Sequence, residues 1–110
     1  MKDKLIVEGK KETLVIPYRN ILYLKAEGRY TKIITEEREK MICRHLKTFE
    51  EQLEHSPFYR VSKSYIVNTT KIKKISGNKI QVDHIEIPVS RDKIKVLKNI
   101  LMPGNWYLMR

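Results

Sequence analysis

The sequence predicts a mainly β domain with two short helices, in an arrangement of short antiparallel sheets. Short apolar segments alternate with polar residues along most of the chain, and Gly, Pro or charged turns bound them. Two further stretches show helical spacing of apolar residues. At 110 residues the chain can bury one core but not two. We therefore expect one domain over residues 1–110, with 1–12 as an N-terminal strand extension and 103–110 as a C-terminal tail.

The strands follow from alternation and from the turns between them. Gly77 begins a turn between two such segments, where glycine permits the positive φ of a tight hairpin. Asp83-His84 is expected to form the next hairpin turn. Pro88 favours an edge position for the last strand, because proline lacks an amide N–H. The predicted strands are residues 5–7, 13–16, 21–25, 30–35, 40–44, 72–75, 79–82 and 85–89, with residues 36–39 as a charged turn.

Two helices are predicted from apolar spacing. Leu46, Phe49 and Leu53 fall at i, i+3 and i+7, and Ser56-Pro57 ends that pattern. Residues 94, 97 and 101 form a second apolar stripe, which Pro103-Gly104 should end. Ser90 is expected to cap this second helix and to place Arg91 in its first turn.

The composition predicts a soluble, cytoplasmic protein. Hydrophobic residues make up 41% and charged residues 33%, and no apolar run approaches the roughly 18 to 20 residues of a membrane-spanning helix. The first residues do not form a signal peptide, because Glu8 and Gly9 interrupt any apolar core. Cys43 is the single cysteine, so an intramolecular disulfide is impossible, which suits a reducing compartment.

The charge predicts a polyanionic partner. The formal net charge is +10, from 23 Lys and Arg against 13 Asp and Glu. Charge alone does not distinguish nucleic acid from an acidic membrane surface or an acidic protein. Arginine is the better candidate for a specific contact, because its planar fork pairs bidentately with guanine or phosphate. Arg29, Arg60 and Arg91 are therefore of most interest.

No pattern favours an enzyme. Cys43 and His45 lack further metal ligands at a recognisable spacing, and Asp83-His84 has no nucleophile in a recognisable motif nearby. The four glycines are far apart and form no phosphate-binding loop. We expect no catalytic residue, metal, cofactor or small-molecule substrate.

The segment Tyr59-Arg60-Val61-Ser62-Lys63-Ser64-Tyr65-Ile66-Val67-Asn68 combines basic and hydroxyl side chains with apolar anchors. It resembles the signature of the LytTR family of bacterial DNA-binding domains. The resemblance also covers residues 15–17, 21–26, 30–31 and 46–53 and the closing motif Ile87-Pro88-Val89-Ser90-Arg91. It implies a transcription regulator, often the output domain of a two-component response regulator, that inserts loops into successive major grooves of double-stranded DNA.

By position, the resemblance implies that Lys63 and Arg91 reach base edges. Tyr30, Ser62 and Ser64 would donate to phosphate oxygens, while residues 65–67 support the loop and Asn68 ties the adjoining turn. The family often has histidine where this chain has Ser62, so base preference does not transfer. Two copies on paired half-sites are plausible by resemblance. The implied DNA-binding residues are Arg29, Tyr30, Thr31, Lys32, Arg60, Ser62, Lys63, Ser64 and Arg91.

One alternative from another class remains open at this point: a basic, non-enzymatic interaction module that binds RNA, an acidic protein or a membrane surface. RNA would require tyrosines that stack on unpaired bases. Alternation makes most of the tyrosines better candidates for packing, so RNA ranks below duplex DNA. A membrane surface would require exposed apolar residues beside the lysines.

Overall fold

The computed structural model describes residues 3–102, and within them the chain forms ten strands and two α-helices. This agrees with the mainly β class predicted from alternation. Single 3₁₀ turns at Tyr18–Asn20 and Thr69–Lys71 lead into strands. The elements are β1 Lys4–Glu8, β2 Thr13–Pro17, β3 Ile21–Glu27, β4 Tyr30–Thr35, β5 Glu39–Ile42, α1 Leu46–Gln52, β6 Phe58–Arg60, β7 Tyr65–Asn68, β8 Ile72–Ser76, β9 Lys79–Val82, β10 Ile85–Pro88 and α2 Arg91–Leu101.

The strands pair into three antiparallel sheets. A central five-stranded sheet has the order β5-β4-β3-β7-β6. A two-stranded sheet holds β1 and β2, and a three-stranded sheet has the order β10-β9-β8. The strand β10 is an edge strand, as the proline at its end predicts.

The central sheet has a hydrophobic core on each face. On one face, Phe49 of α1 and Leu5 of β1 pack with Leu24 and Ile33 of the sheet. On the other face, Leu97 of α2 and Ile80 and Ile87 of the small sheet pack with Val67. Because both faces are covered, β3 and β7 bury consecutive residues, whereas β4 fully buries only alternate ones.

Two hairpin turns follow the predicted chemistry. Gly77 has φ +63° between β8 and β9, and Asp83 has φ +54° between β9 and β10. Both values lie in the left-handed region, which glycine adopts without steric cost and which Asp tolerates better than most residues. These turns fix the register in which Ile85 pairs with Val82.

The structure corrects several expectations. β5 runs from Glu39 to Ile42 rather than over residues 40–44, because Glu39 already pairs with Ile34 of β4. The segment interpreted as a loop with anchors contains two paired strands, β6 and β7. Its alternation is hidden because Ile66, Val67 and Asn68 are all buried.

Both helices lie where they were predicted: α2 begins at Arg91, and α1 runs from Leu46 to Gln52, with Leu53 as its C-cap. Ser90 occupies the N-cap of α2, but its side chain makes no capping hydrogen bond. His55, just beyond α1, has φ +61°, a conformation that no sequence signal indicated. Pro103-Gly104 and the predicted tail lie outside the described residues. Neither helix between residues 3 and 102 is long and apolar enough to cross a membrane.

Candidate nucleic-acid interface

The loop at residues 61–64, which joins β6 to β7, lies at the centre of the predicted contact segments. Val61 is buried and its N–H donates to Tyr65 O at 3.0 Å, which closes the loop. The Ser64 N–H donates to Ser62 Oγ at 3.3 Å within it. Lys63 and Ser64 are exposed. The loop therefore has an apolar base and a polar, basic tip.

Backbone hydrogen bonds join this loop to the two other predicted segments. The Ala26 N–H donates to Ser64 O at 2.8 Å, which links the loop to β3 just before the β3–β4 turn. The Ser90 N–H donates to Val61 O at 2.9 Å, which links it to the start of α2. Three segments that are distant in the sequence thus meet at one end of the molecule.

The β3–β4 turn presents some predicted residues and buries another. Gly28 has φ +60°, and Arg29 and Tyr30 are exposed after it. Thr31 is fully buried, and its Oγ1 donates to Arg44 O at 2.7 Å. Lys32 is partly buried, with its Nζ 3.6 Å from Glu39 Oε1. The buried Thr31 side chain therefore does not face a partner, and its hydrogen bond ties β4 to the connection between β5 and α1.

Arg91 is exposed at the first position of α2. Among the described residues it forms no ion pair, although Asp92 is its neighbour in the first turn. The N-terminus of this eleven-residue helix has a positive dipole end that favours anions. Arg91 is therefore available to an external partner.

Arg60 is not available in the same way. Its guanidinium donates from Nε to Ser62 O at 3.1 Å and from Nη2 to Lys63 O at 2.7 Å. A third bond runs from Nη1 to Glu50 Oε1 of α1 at 2.9 Å. Three of its five N–H groups are therefore used inside the protein.

Two lysines beside this loop are not among the predicted DNA-binding residues. Lys93 Nζ lies 6.0 Å from the Tyr59 ring centroid, and Lys25 Nζ lies 5.9 Å from that of Tyr65. Lys25 also lies 3.3 Å from Glu27. The position of Lys93 two residues after Arg91 is the signal that could have identified it, because both fall in the first turn of α2.

A groove of about 420 Å³ lies between the β3–β4 turn, the start of α1 and the loop. Lys63 and Arg60 line it from the loop, and His45 and Lys47 line it from α1. The α1 residues were not predicted, because their only sequence signal is charge within a short helix. Glu51 also lines the groove, so lysine and arginine side chains share it with one carboxylate.

Most of the tyrosines that could stack on bases are packed instead. The Tyr23 and Tyr65 ring centroids are 5.8 Å apart, and both side chains are partly buried. Burial raises the pKa of Tyr23, and burial followed by the Asp92 charge raises that of Tyr59. Tyr30 is 42% exposed. This arrangement disfavours a tyrosine platform for single-stranded RNA.

The residues considered for metal binding or catalysis form no cluster in the described part of the chain. Between residues 3 and 102, no three His, Cys, Asp or Glu side chains lie close enough to hold a metal ion. Cys43 is exposed, and His84 Nε2 lies 3.7 Å from Asp83 Oδ1 in a surface turn.

Comparisons with known proteins agree with this geometry. A family model described as the LytTr DNA-binding domain matches residues 11–102. The chain is 31% identical over 106 residues to the sensory transduction protein LytT of Bacillus subtilis, covering 91% of this chain and 44% of that protein. It is 37% identical to LytT of Oceanobacillus iheyensis over 108 residues, covering 90% and 44%.

A solved structure has a similar fold. It is titled as the LytTr DNA-binding domain of a putative methyl-accepting/DNA response regulator from Bacillus cereus. The TM-score is 0.72 at 24% identity, covering 93% of this chain and 99% of that one. The chain spans less than half the length of the curated LytT proteins.

Proposed function

Since this chain belongs to the LytTR DNA-binding domain family, we propose that it binds double-stranded DNA sequence-specifically in transcription regulation. The β3–β4 turn, the loop at residues 61–64 and the start of α2 enter the major groove. The observation that supports this most directly is the pair of backbone hydrogen bonds that join these segments, Ala26 N–H to Ser64 O and Ser90 N–H to Val61 O. These bonds hold the three segments next to one another, so that their exposed basic side chains can contact one partner.

The proposed roles divide between base and phosphate contacts. Lys63 and Arg91 contact base edges, because both are exposed at the tip of a segment. Tyr30 and Ser64 donate to phosphate oxygens, and Ser62 does so from a partly buried position. Arg29 and Lys32 add positive charge along the DNA backbone, while Thr31 ties β4 to the connection between β5 and α1.

The curated LytT relatives are more than twice as long as the part that this chain matches. Because the chain covers 44% of the LytT proteins, we propose that it acts as the DNA-binding part of a bacterial two-component response regulator. Such a regulator works in the cytoplasm, where the chromosome is accessible. Two copies on paired half-sites would double the contacted surface.

The test is fluorescence anisotropy on duplexes selected from a random library, with scrambled competitors and a salt series. A preferred duplex that resists scrambled competitor supports the proposal. The logarithm of the binding constant should fall with the logarithm of salt by about 0.9 per phosphate contact. Equal binding to every duplex would overturn sequence-specific recognition and direct attention to RNA and acidic proteins.

Two substitutions separate the roles. Arg91→Ala should cost about 1–3 kcal/mol on the preferred duplex and relax one base position, if its fork pairs with one base. Lys32→Ala should weaken preferred and scrambled duplexes about equally and reduce the salt slope by roughly one contact. Equal weakening of both duplexes by Arg91→Ala would refute base recognition by Arg91.

A further inference from the structure

We propose that Arg60 is a positioning residue, held by Glu50, and that this pair sets the sequence preference of the loop at residues 61–64. The inference rests on the proposed function and replaces the expectation that Arg60 contacts DNA. It concerns how the loop acquires the shape that presents Lys63 to a base.

The hydrogen bonds of Arg60 hold two successive loop carbonyls. Its Nε and Nη2 groups bind Ser62 O and Lys63 O at 3.1 and 2.7 Å. Two carbonyls held by one planar group fix the two peptide planes on either side of the Lys63 Cα. The direction in which Lys63 leaves the backbone therefore depends on Arg60.

The third hydrogen bond anchors this group to the core. Glu50 lies on α1, ten residues before Arg60, and accepts from Nη1 at 2.9 Å. The helix is held by Phe49, which is fully buried against the central sheet. The two carbonyls that Arg60 holds are thus connected through this ion pair to a helix packed on the core.

The local charge also favours this role. The Glu50 side chain is 47% exposed and the Arg60 side chain only 24%. A carboxylate next to a phosphate-binding arginine opposes the phosphate, because like charges repel. If Arg60 contacts phosphate, removing the Glu50 charge should therefore tighten DNA binding. If Arg60 positions the loop, the same change should weaken the sequence preference.

The first experiment compares Glu50→Gln with Glu36→Gln in the anisotropy assay. Glu36 also forms an ion pair, with Lys71 at 3.4 Å. It follows the C-terminal end of β4, whereas the β3–β4 turn precedes the strand. Both variants remove one negative charge. We expect Glu50→Gln to lower the ratio of the binding constants for the preferred and the scrambled duplex by about tenfold, roughly the effect of one charge-assisted hydrogen bond. Glu36→Gln should leave the ratio unchanged.

A second pair of variants tests the arginine itself. Arg60→Lys keeps the charge but cannot reach three acceptors in different directions, so it should lose sequence preference nearly as far as Arg60→Gln. The slope of the binding constant of Arg60→Lys against salt concentration should stay at the wild-type value. Tighter DNA binding by Glu50→Gln would show a phosphate contact and overturn the proposal. The same conclusion would follow if Arg60→Lys kept the full sequence preference while Arg60→Gln lowered the salt slope of the binding constant by about 0.9.

A measurement without DNA keeps this inference separate from the proposed function. Backbone ¹⁵N order parameters of residues 62–64 in the free domain should fall in Glu50→Gln and stay unchanged in Glu36→Gln. Unchanged values in both variants would refute the positioning role. If wild-type protein has no preferred duplex while the order parameters fall as expected, sequence-specific binding fails and the positioning role of Arg60 stands.

Discussion

Replacing Asn68 with alanine should remove a large part of the stability of the domain. Asn68 is 1% exposed at the end of β7. Its Nδ2 donates to Tyr18 O at 3.0 Å and to Ile21 O at 2.9 Å. Its Oδ1 accepts from Thr70 N at 3.1 Å and from Thr70 Oγ1 at 2.7 Å. One amide thus joins both 3₁₀ turns to the central sheet.

The expected loss of stability depends on which hydrogen-bond partners of Asn68 remain satisfied in the alanine variant. Tyr18 O also accepts from the Ile21 N–H, and Thr70 is exposed enough for water to replace its bonds. The main cost is the lost donor to Ile21 O together with the small void in the core. We expect Asn68→Ala to lower the free energy of unfolding by about 2–4 kcal/mol, a fall in Tm of roughly 10–30 °C for a domain of this size.

The assay is urea unfolding followed by circular dichroism at 25 °C. Asn99→Ala is the matched substitution, because Asn99 is exposed on α2 and should change stability by less than about 0.5 kcal/mol. Asn68→Asp should be at least as damaging at pH 7, because a carboxylate would face two carbonyl oxygens. A loss in Asn68→Ala no greater than that in Asn99→Ala would refute this account of the network.

Two further predictions concern the turns and the tyrosines. Gly77→Ala should lower the free energy of unfolding by about 1 kcal/mol, because φ +63° strains any residue with a Cβ; an unchanged urea midpoint would contradict this. Burial raises the pKa of Tyr23 above 10.0, so its stabilising contribution is complete below pH 10 and is lost as the pH rises further. The Tm of Tyr23→Phe should therefore fall less than the Tm of the wild type between pH 9 and pH 11, a range that spans the ordinary tyrosine pKa of about 10. An identical fall in both proteins would refute this prediction.

Much of the fold could be predicted because its signals are local. The hairpin turn at Gly77 and the apolar spacing of α1 depend on residues within one turn of chain. The strands β6 and β7 were missed as strands because β7 is covered on both faces and shows no alternation. The early start of β5 at Glu39 was missed because charged residues also occur on edge strands.

The sequence indicated candidate segments for DNA contact, but it could not show which of their side chains are exposed. Lys63 and Arg91 are exposed as the sequence suggested, and DNA contact by them stays a prediction. Thr31 and Arg60 were predicted on the same grounds as the exposed candidates, yet their polar groups bind Arg44 O and Glu50. No local pattern separates a hydroxyl or guanidinium that faces solvent from one that is already bonded.

The sequence by itself determined the mainly β class, the excess of positive charge and the segments that carry it. These properties depend on composition and on periodicity along a few residues. Only the tertiary structure decided that three distant segments meet at one end, through Ala26 N–H to Ser64 O and Ser90 N–H to Val61 O. It also decided which polar groups stay free, because hydrogen-bond partners such as Glu50 come from other elements of the chain. Contacts between distant residues form only after the sheets and helices have packed, so a linear pattern cannot specify them.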